Sequence, residues 1–306
     1  MTQLTAQEVL SQLQASQSLR QAELSGIDLS GQSVDEGDFI EACLRRANFT
    51  QASCQGTNFS GATLIMADFQ GADLQRSQLE NAVLTHAHLE DANLGRSHAK
   101  GAKLYGAFLT SANGEQMVLD EADMREVSGV RLNLKDASCV GTMFNRAKLT
   151  KACFEMANLA RSHWEQANLS GADFTAANLE RAVLGEVNLS GATLLKASGL
   201  NADFKRANLT DSVLKNAQFD WATFVEAVLK GADCHGVSFF NANLTGANVE
   251  GANFSASNLR EACLANTQLE GACFDDCNVR GALFTDAIGL SEEQKRQLKK
   301  NGALNV

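Results

Sequence analysis

Large apolar residues recur at every fifth position from Leu24 to Phe284, and the frame never slips. Of these 53 positions only Ala99, Gly114, Gly129 and Gly199 are not Leu, Phe, Val, Met, Cys or Trp. Two residues earlier, from Ala22 to Ala282, 36 of 53 positions are alanine. A period of five excludes both regular structures. A continuous helix turns about 100° per residue, so large residues five apart would share no face. A continuous strand alternates faces, so an odd period would throw successive large residues to opposite sides. Each repeat must instead hold a short extended piece, with the small and large residues pointing the same way, followed by a corner. Repeated corners wind the chain into a coil.

The phrase Ala-Asp/Asn-Leu-x-Gly recurs almost unchanged, as in Ala167-Asn-Leu-Ser-Gly171 and Ala247-Asn-Val-Glu-Gly251. In this the chain resembles the pentapeptide-repeat family over residues 22–287. The resemblance implies an all-β fold, a right-handed quadrilateral β-solenoid in which four repeats make one square coil of 20 residues. The large and small residues would fill the axis and the other three positions would face outward. With rungs about 4.8 Å apart, the repeats would make about 13 rungs and a rod about 60 Å long. The absence of proline fits a coil whose N–H groups bond to neighbouring rungs. Asp68, Asp73, Asn168 and Asp173, each just before a large residue, are expected to form corners by bonding nearby backbone rather than to act as catalytic carboxylates.

A terminal rung exposes apolar side chains and unpaired backbone, so both ends need covers. Thr5-Ala-Gln-Glu8 has the form of a capping box, and Leu4, Val9, Leu10 and Leu13 share one helical face. Ser291-Glu-Glu-Gln294 is a second such box, with Lys299 and Lys300 complementing the helix end and Asn301-Gly302 stopping it; Leu290 and Leu298 would dock. The expected organisation is a capping helix with its lead-in over 1–21, the solenoid over 22–287 and a C-terminal capping helix over 288–306. In some members of the family the C-terminal helix joins two rods, which implies a homodimer as one arrangement.

Eight cysteines do not amount to a disulfide or zinc framework. Cys54, Cys139 and Cys234 occupy large positions, while Cys43, Cys153, Cys263 and Cys273 stand just before them, and the close pair Cys273 and Cys277 lacks ligand spacing. The usual catalytic motifs are absent, and no cofactor or metal is implied. Ser97-His-Ala-Lys100 and Ser212-Val-Leu-Lys215 match S-x-x-K, but that chemistry needs a helix to bring serine and lysine together. His86 and His88 find no further ligands one rung away at Gly106 and Phe108. Asn188-Leu-Ser190 and Asn208-Leu-Thr210 are glycosylation sequons only because the repeat spells them. The first residues show no basic region followed by an apolar stretch, so the chain is expected to be cytoplasmic, with no membrane span.

An enzyme is not expected, and function then belongs to the surface. Positions 20 apart should stack into columns. Thr150, Ser170, Ser190 and Thr210 make a polar, inert column, whereas Val140, Leu200 and Phe240 share another, with Trp221 at the adjacent corner. Trp221, Phe240 and Leu200 are the candidate partner-contact residues, unless they merely pack on one another. A second irregularity spans 113–131. There Gly114 and Gly129 vacate large positions while Met117 and Leu132 enlarge neighbouring small ones, by exchange of volume or by a bulge.

The reading is a non-enzymatic scaffold that presents a rigid surface to another protein, for example within a bacterial secretion apparatus. The alternative comes from the family's members that mimic B-DNA, bind gyrase or topoisomerase IV and protect against quinolones. A net charge of −10 has the right sign for mimicry. The density is too low, since about 60 Å of B-DNA carries about 35 charges. Nor is charge concentrated: residues 1–150 hold 18 acids and 12 bases, and 151–306 hold 18 and 14. No direct nucleic-acid binding is expected.

Overall fold

The computed structural model describes residues 4–306, in two compact units, Met1–Cys153 and Phe154–Val306. Each is a right-handed quadrilateral β-solenoid. In the first, parallel bridges join residues 20 apart, stepping by five from Glu23–Cys43 to Asn133–Cys153. In the second they step by five from Asn158–Asn178 to Gln268–Ile288. Every face therefore contributes one paired residue per repeat, and four repeats close a rung.

One repeat shows why the pattern is self-consistent. Asp68 N–H donates to the Ala47 carbonyl in the rung below (2.9 Å), and Phe69 N–H to His88 in the rung above (2.7 Å). Gly71 N–H donates to Glu90 (2.9 Å), and Ala72 N–H closes the turn on Phe69 (2.9 Å). The fifth donor, Gln70 N–H, is taken by Asp68 Oδ1 at 2.9 Å. Asp73, Asn168 and Asp173 do the same for Gln75, Ser170 and Thr175, so these side chains are corner formers. In such a repeat no N–H is spare, which leaves no position at which proline would not delete a bond.

The second corner residue is left-handed throughout, with φ near +57° at many residues that are not glycine. Asn tolerates this conformation better than long side chains do. Met156 has φ +58° and is 56% exposed, so it neither fits the backbone nor buries its side chain. Met156→Asn is expected to raise stability by about 0.5–1 kcal/mol, read as a higher thermal midpoint. An unchanged or lower midpoint would contradict this account of the corner.

Inside each unit the large positions interdigitate. Phe39, Phe49, Phe59 and Phe69 are buried, and rings 20 residues apart stack, as in Phe49–Phe69 at 4.8 Å and 2°. The vacated positions are filled by neighbours. A Cβ on Gly114 would lie 2.8 Å from Leu134 Cδ2 and 3.4 Å from Met117 Sδ, and one on Gly129 would lie 2.9 Å from Leu149 Cδ2 and 3.2 Å from Leu132 Cβ. The bridges Asn93–Asn113, Asn113–Asn133 and Ser128–Lys148 keep their 20-residue register through this stretch. Volume is exchanged between the two axial positions, and the ladder does not slip.

Helix α1 spans Ala6–Gln14 and α2 spans Glu292–Lys300. Both open on full capping boxes: Thr5 Oγ1 accepts from Glu8 N–H at 3.3 Å while Glu8 takes the Thr5 N–H at 2.8 Å, and Ser291 and Gln294 repeat the exchange. Helix α1 buries Val9 and lays Leu13 beside Gly37. Helix α2 buries Leu298 and anchors Gln294 Nε2 on the Ala272 carbonyl at 2.8 Å. Beyond α2 the chain returns to the solenoid, pairing Leu304 with Leu283. Leu283, Ile288 and Leu304 are left exposed at this end. Neither helix is long and apolar enough to cross a membrane.

Candidate functional site

The 20-residue register places Leu200, Asp220, Phe240 and Arg260 in one column of the second unit, with Trp221 beside Asp220. Position 238 is serine, so the corner before Phe240 lacks its usual Asx acceptor. Asp220 supplies it from the rung below. Its Oδ1 accepts the Phe240 N–H at 3.2 Å and also the Ser238 hydroxyl. One carboxylate thus holds the backbone from which Phe240 projects.

Trp221 N–H donates to the Phe240 carbonyl at 2.9 Å, and the two rings meet edge-on with centroids 5.2 Å apart at 81°. The Arg260 guanidinium lies over the Phe240 ring, 4.9 Å from its centroid. Phe240 is half-buried between these neighbours, whereas Trp221 is 52% exposed. Trp221 also sits at φ +55°, a conformation that local physics leaves to glycine or asparagine. The residue therefore breaks two rules at once, one of burial and one of backbone preference. Leu200, the third candidate, is half-buried and stands two rungs from Phe240, with Asp220 between. The structure unites Trp221 and Phe240 but not Leu200. Arg260 completes the cluster; its signal was the same column spacing that paired Leu200 with Phe240.

The other sequence candidates do not converge. Ser97 and Ser212 are buried at small axial positions, and Lys100 turns outward to Glu121 at 3.4 Å. His88 stacks on Phe108 at 4.7 Å, and His86 meets Tyr105 edge-on at 5.8 Å. Among the described residues no cluster of His, Cys, Asp or Glu could hold a metal ion. None of the eight cysteines is joined in a disulfide. Burial pushes the thiol pKa of Cys54, Cys139 and Cys234 upward, so these are unreactive axial fillers.

A family model described as pentapeptide repeats matches the chain in eight copies spanning 18–113, 130–198 and 202–276. No curated protein sequence matches. Among solved structures, QnrB1, a plasmid-mediated fluoroquinolone resistance protein, is 17% identical, covering 63% of this chain and 94% of its own, with a TM-score of 0.47. HetL, a pentapeptide repeat protein involved in heterocyst differentiation regulation in the cyanobacterium Nostoc sp. strain PCC 7120, is 24% identical, covering 94% of this chain and 99% of its own, at TM-score 0.25. A pentapeptide repeat protein from the Arabidopsis thaliana thylakoid lumen is 29% identical over 39% of this chain and 77% of its own, at TM-score 0.26.

Proposed function

This chain belongs to the pentapeptide-repeat family, and from that premise we propose that it is a non-enzymatic interaction scaffold whose docking point in the second unit is Trp221 with Phe240 and Arg260. The axis of each unit is filled by side chains, which leaves recognition to the outer columns. Exposed aromatic and arginine side chains dominate the energetics of protein interfaces. The observation that carries the reading is Trp221, half exposed and held in a left-handed corner. Without a partner to cover it, the same corner would be better served by the glycine or asparagine used elsewhere, as at Gly231 and Asn241.

The test is affinity capture from the native host with the parent chain, a Trp221→Ser/Phe240→Ser variant, and a Ser190→Ala control in the polar column. The expected result is a partner retained by parent and control and reduced by about tenfold or more with the double variant, since hot-spot aromatics cost about 2 kcal/mol or more each. Equal capture by a correctly folded double variant removes the patch from the function. A gyrase supercoiling assay separates the alternative reading, because a DNA mimic would inhibit at roughly micromolar protein and a scaffold of another system would not.

A further inference from the structure

One corner of the first unit is unlike the rest of this acidic chain. The two adjoining columns that run from positions 25 and 26 to positions 125 and 126 contain three arginines and a single acid, Glu126 at the far end, although residues 1–150 carry 18 acids. Every other corner of that unit includes at least two carboxylates, such as Glu41 and Asp120, Glu90 and Asp91, or Asp35 and Glu115. Near its lower end, away from Glu126, this corner forms a notch lined by Ser25, Gly26, Arg45, Arg46, Ile65 and Met66. A Cβ on Gly26 would meet nothing within 4 Å, so the floor is open.

Arg45 and Arg46 are both exposed, and neither guanidinium forms an ion pair among the described residues. The carboxylate that acts on Arg45 is Glu23, and it is already engaged: it accepts the Ser25 N–H at 3.0 Å, and hydrogen bonds from Ser25 hold its pKa below the usual carboxylate value. Above the arginines Met66 is 45% exposed at φ +56°, so it shares with Trp221 the double departure from local preference. Two rungs farther along, the neighbouring Glu126 carboxylate pushes the Tyr105 pKa up, and the Arg125 guanidinium lies 5.8 Å from the centre of the Tyr105 ring. Arg125 is neutralised by Asp123 at 2.7 Å. The arginines of this corner without an ion pair are thus Arg45 and Arg46, and beyond them its columns carry Ile65, Met66, Thr85, His86 and Tyr105.

We propose that this corner is a second docking surface, and that its occupant is an extended acidic peptide segment with apolar residues following the acids. Charge complementarity selects the acids: two unpaired guanidinium groups stand in a chain whose net charge is −10. The Ile65–Met66 wall selects the apolar side chains. From the rung of Arg46 to that of Tyr105 is three rungs, about 14 Å, which an extended peptide spans in about four residues. The segment therefore carries its acids at one end and apolar residues two and four positions later. A nucleic acid fits less well, because two cations offer few phosphate contacts and the net charge repels a polyanion.

The surface lies in the first unit and does not depend on the Trp221 cluster. The probe is a fluorescein-labelled peptide Ser-Glu-Asp-Ser-Leu-Ser-Phe-Ser-Gly, followed by anisotropy at low salt with the full chain. Saturable binding is expected with a Kd of roughly tens of micromolar. Arg45→Glu/Arg46→Glu should weaken it about tenfold or more, and Met66→Ser about threefold, with unchanged circular dichroism. Trp221→Ser/Phe240→Ser should bind like the parent, and a peptide with Gln-Asn in place of Glu-Asp should not bind. The proposal is overturned by equal binding to the charge-reversed variant, by no saturable binding up to about 1 mM peptide, or by tighter binding of a uridine decamer than of the peptide.

Discussion

Restoring leucine at position 199, where the five-residue repeat asks for a large apolar residue, is expected to destabilise the protein by more than about 3 kcal/mol. The first added atom already fails. A Cβ on Gly199 would sit 2.6 Å from both Cδ1 and Cε1 of Phe219, and 3.5 Å from the Ala202 Cβ. The Phe219 ring has filled the missing side chain's volume and has little room to withdraw. It is fully buried, edge-on to Phe204 at 5.4 Å and Phe224 at 5.5 Å, and stacked on Phe239 at 6.0 Å. Inserting methylenes into a packed core costs about 1–3 kcal/mol even when neighbours adjust, and here an aromatic cluster must move as one. The thermal midpoint of Gly199→Leu should fall well below the parent's, and Gly199→Leu/Phe219→Ala should recover more than half of the loss. Gly114→Ala is the contrast, with a cost of about 1 kcal/mol, because the nearest obstructing atom is the end of Leu134, which rotates, and the Asn133 carbonyl oxygen at 3.2 Å has to give by only a few tenths of an ångström. A stabilising Gly199→Leu would mean that Phe219 does not hold that space.

The second large effect sets one substitution against itself. Ser162 and Ser97 both occupy the small axial position, both are buried, and both stand where the repeat prefers alanine. Ser162 Oγ donates to the Leu159 carbonyl at 2.6 Å and accepts the Trp164 indole N–H at 2.6 Å. Ser162→Ala takes that acceptor from a fully buried indole and is expected to cost about 1–3 kcal/mol. Ser97 Oγ, like Ser77 Oγ, is buried with no hydrogen-bond partner. Ser97→Ala removes an uncompensated hydroxyl, so stability should stay level or rise by about 1 kcal/mol. Thermal midpoints of the two variants should therefore move in opposite directions or differ by several degrees. Equal shifts would show that the two hydroxyls have equivalent surroundings and would remove the role assigned to the Ser162–Trp164 pair.

Much of the fold was legible because the repeat reports it redundantly. The period of five excludes continuous helix and strand by geometry alone. Asn and Asp before the large residue are recognisable as corner formers because their bond, Asp68 to Gln70 for instance, spans only two residues. The two capping boxes are equally local, from Thr5 to Glu8 and from Ser291 to Gln294. The candidate site was legible only in part. Column spacing joined Phe240 to Leu200 and to Trp221 at the adjacent corner; the coil keeps Trp221 against Phe240, places Asp220 between Phe240 and Leu200, and adds Arg260. The acid-poor corner around Arg45 and Met66 is not legible along the chain, because the residues that its rungs bring together are 19–21 positions apart.

The sequence by itself determined the coil, its corner chemistry and its capping helices, since each follows from period or from residues within one turn of each other, while the rung of four repeats was implied by the family resemblance. Tertiary structure alone decided how the exceptions were absorbed. Phe219 reaches Gly199, Met117 reaches Gly114, Ser162 serves Trp164 while Ser97 serves nothing, and Trp221 stays exposed beside Phe240. The physical reason is that a vacated volume or an unpaired donor is answered by whichever rotamer of a neighbouring repeat or rung can reach it. That choice depends on the whole local packing, which no five-residue pattern encodes.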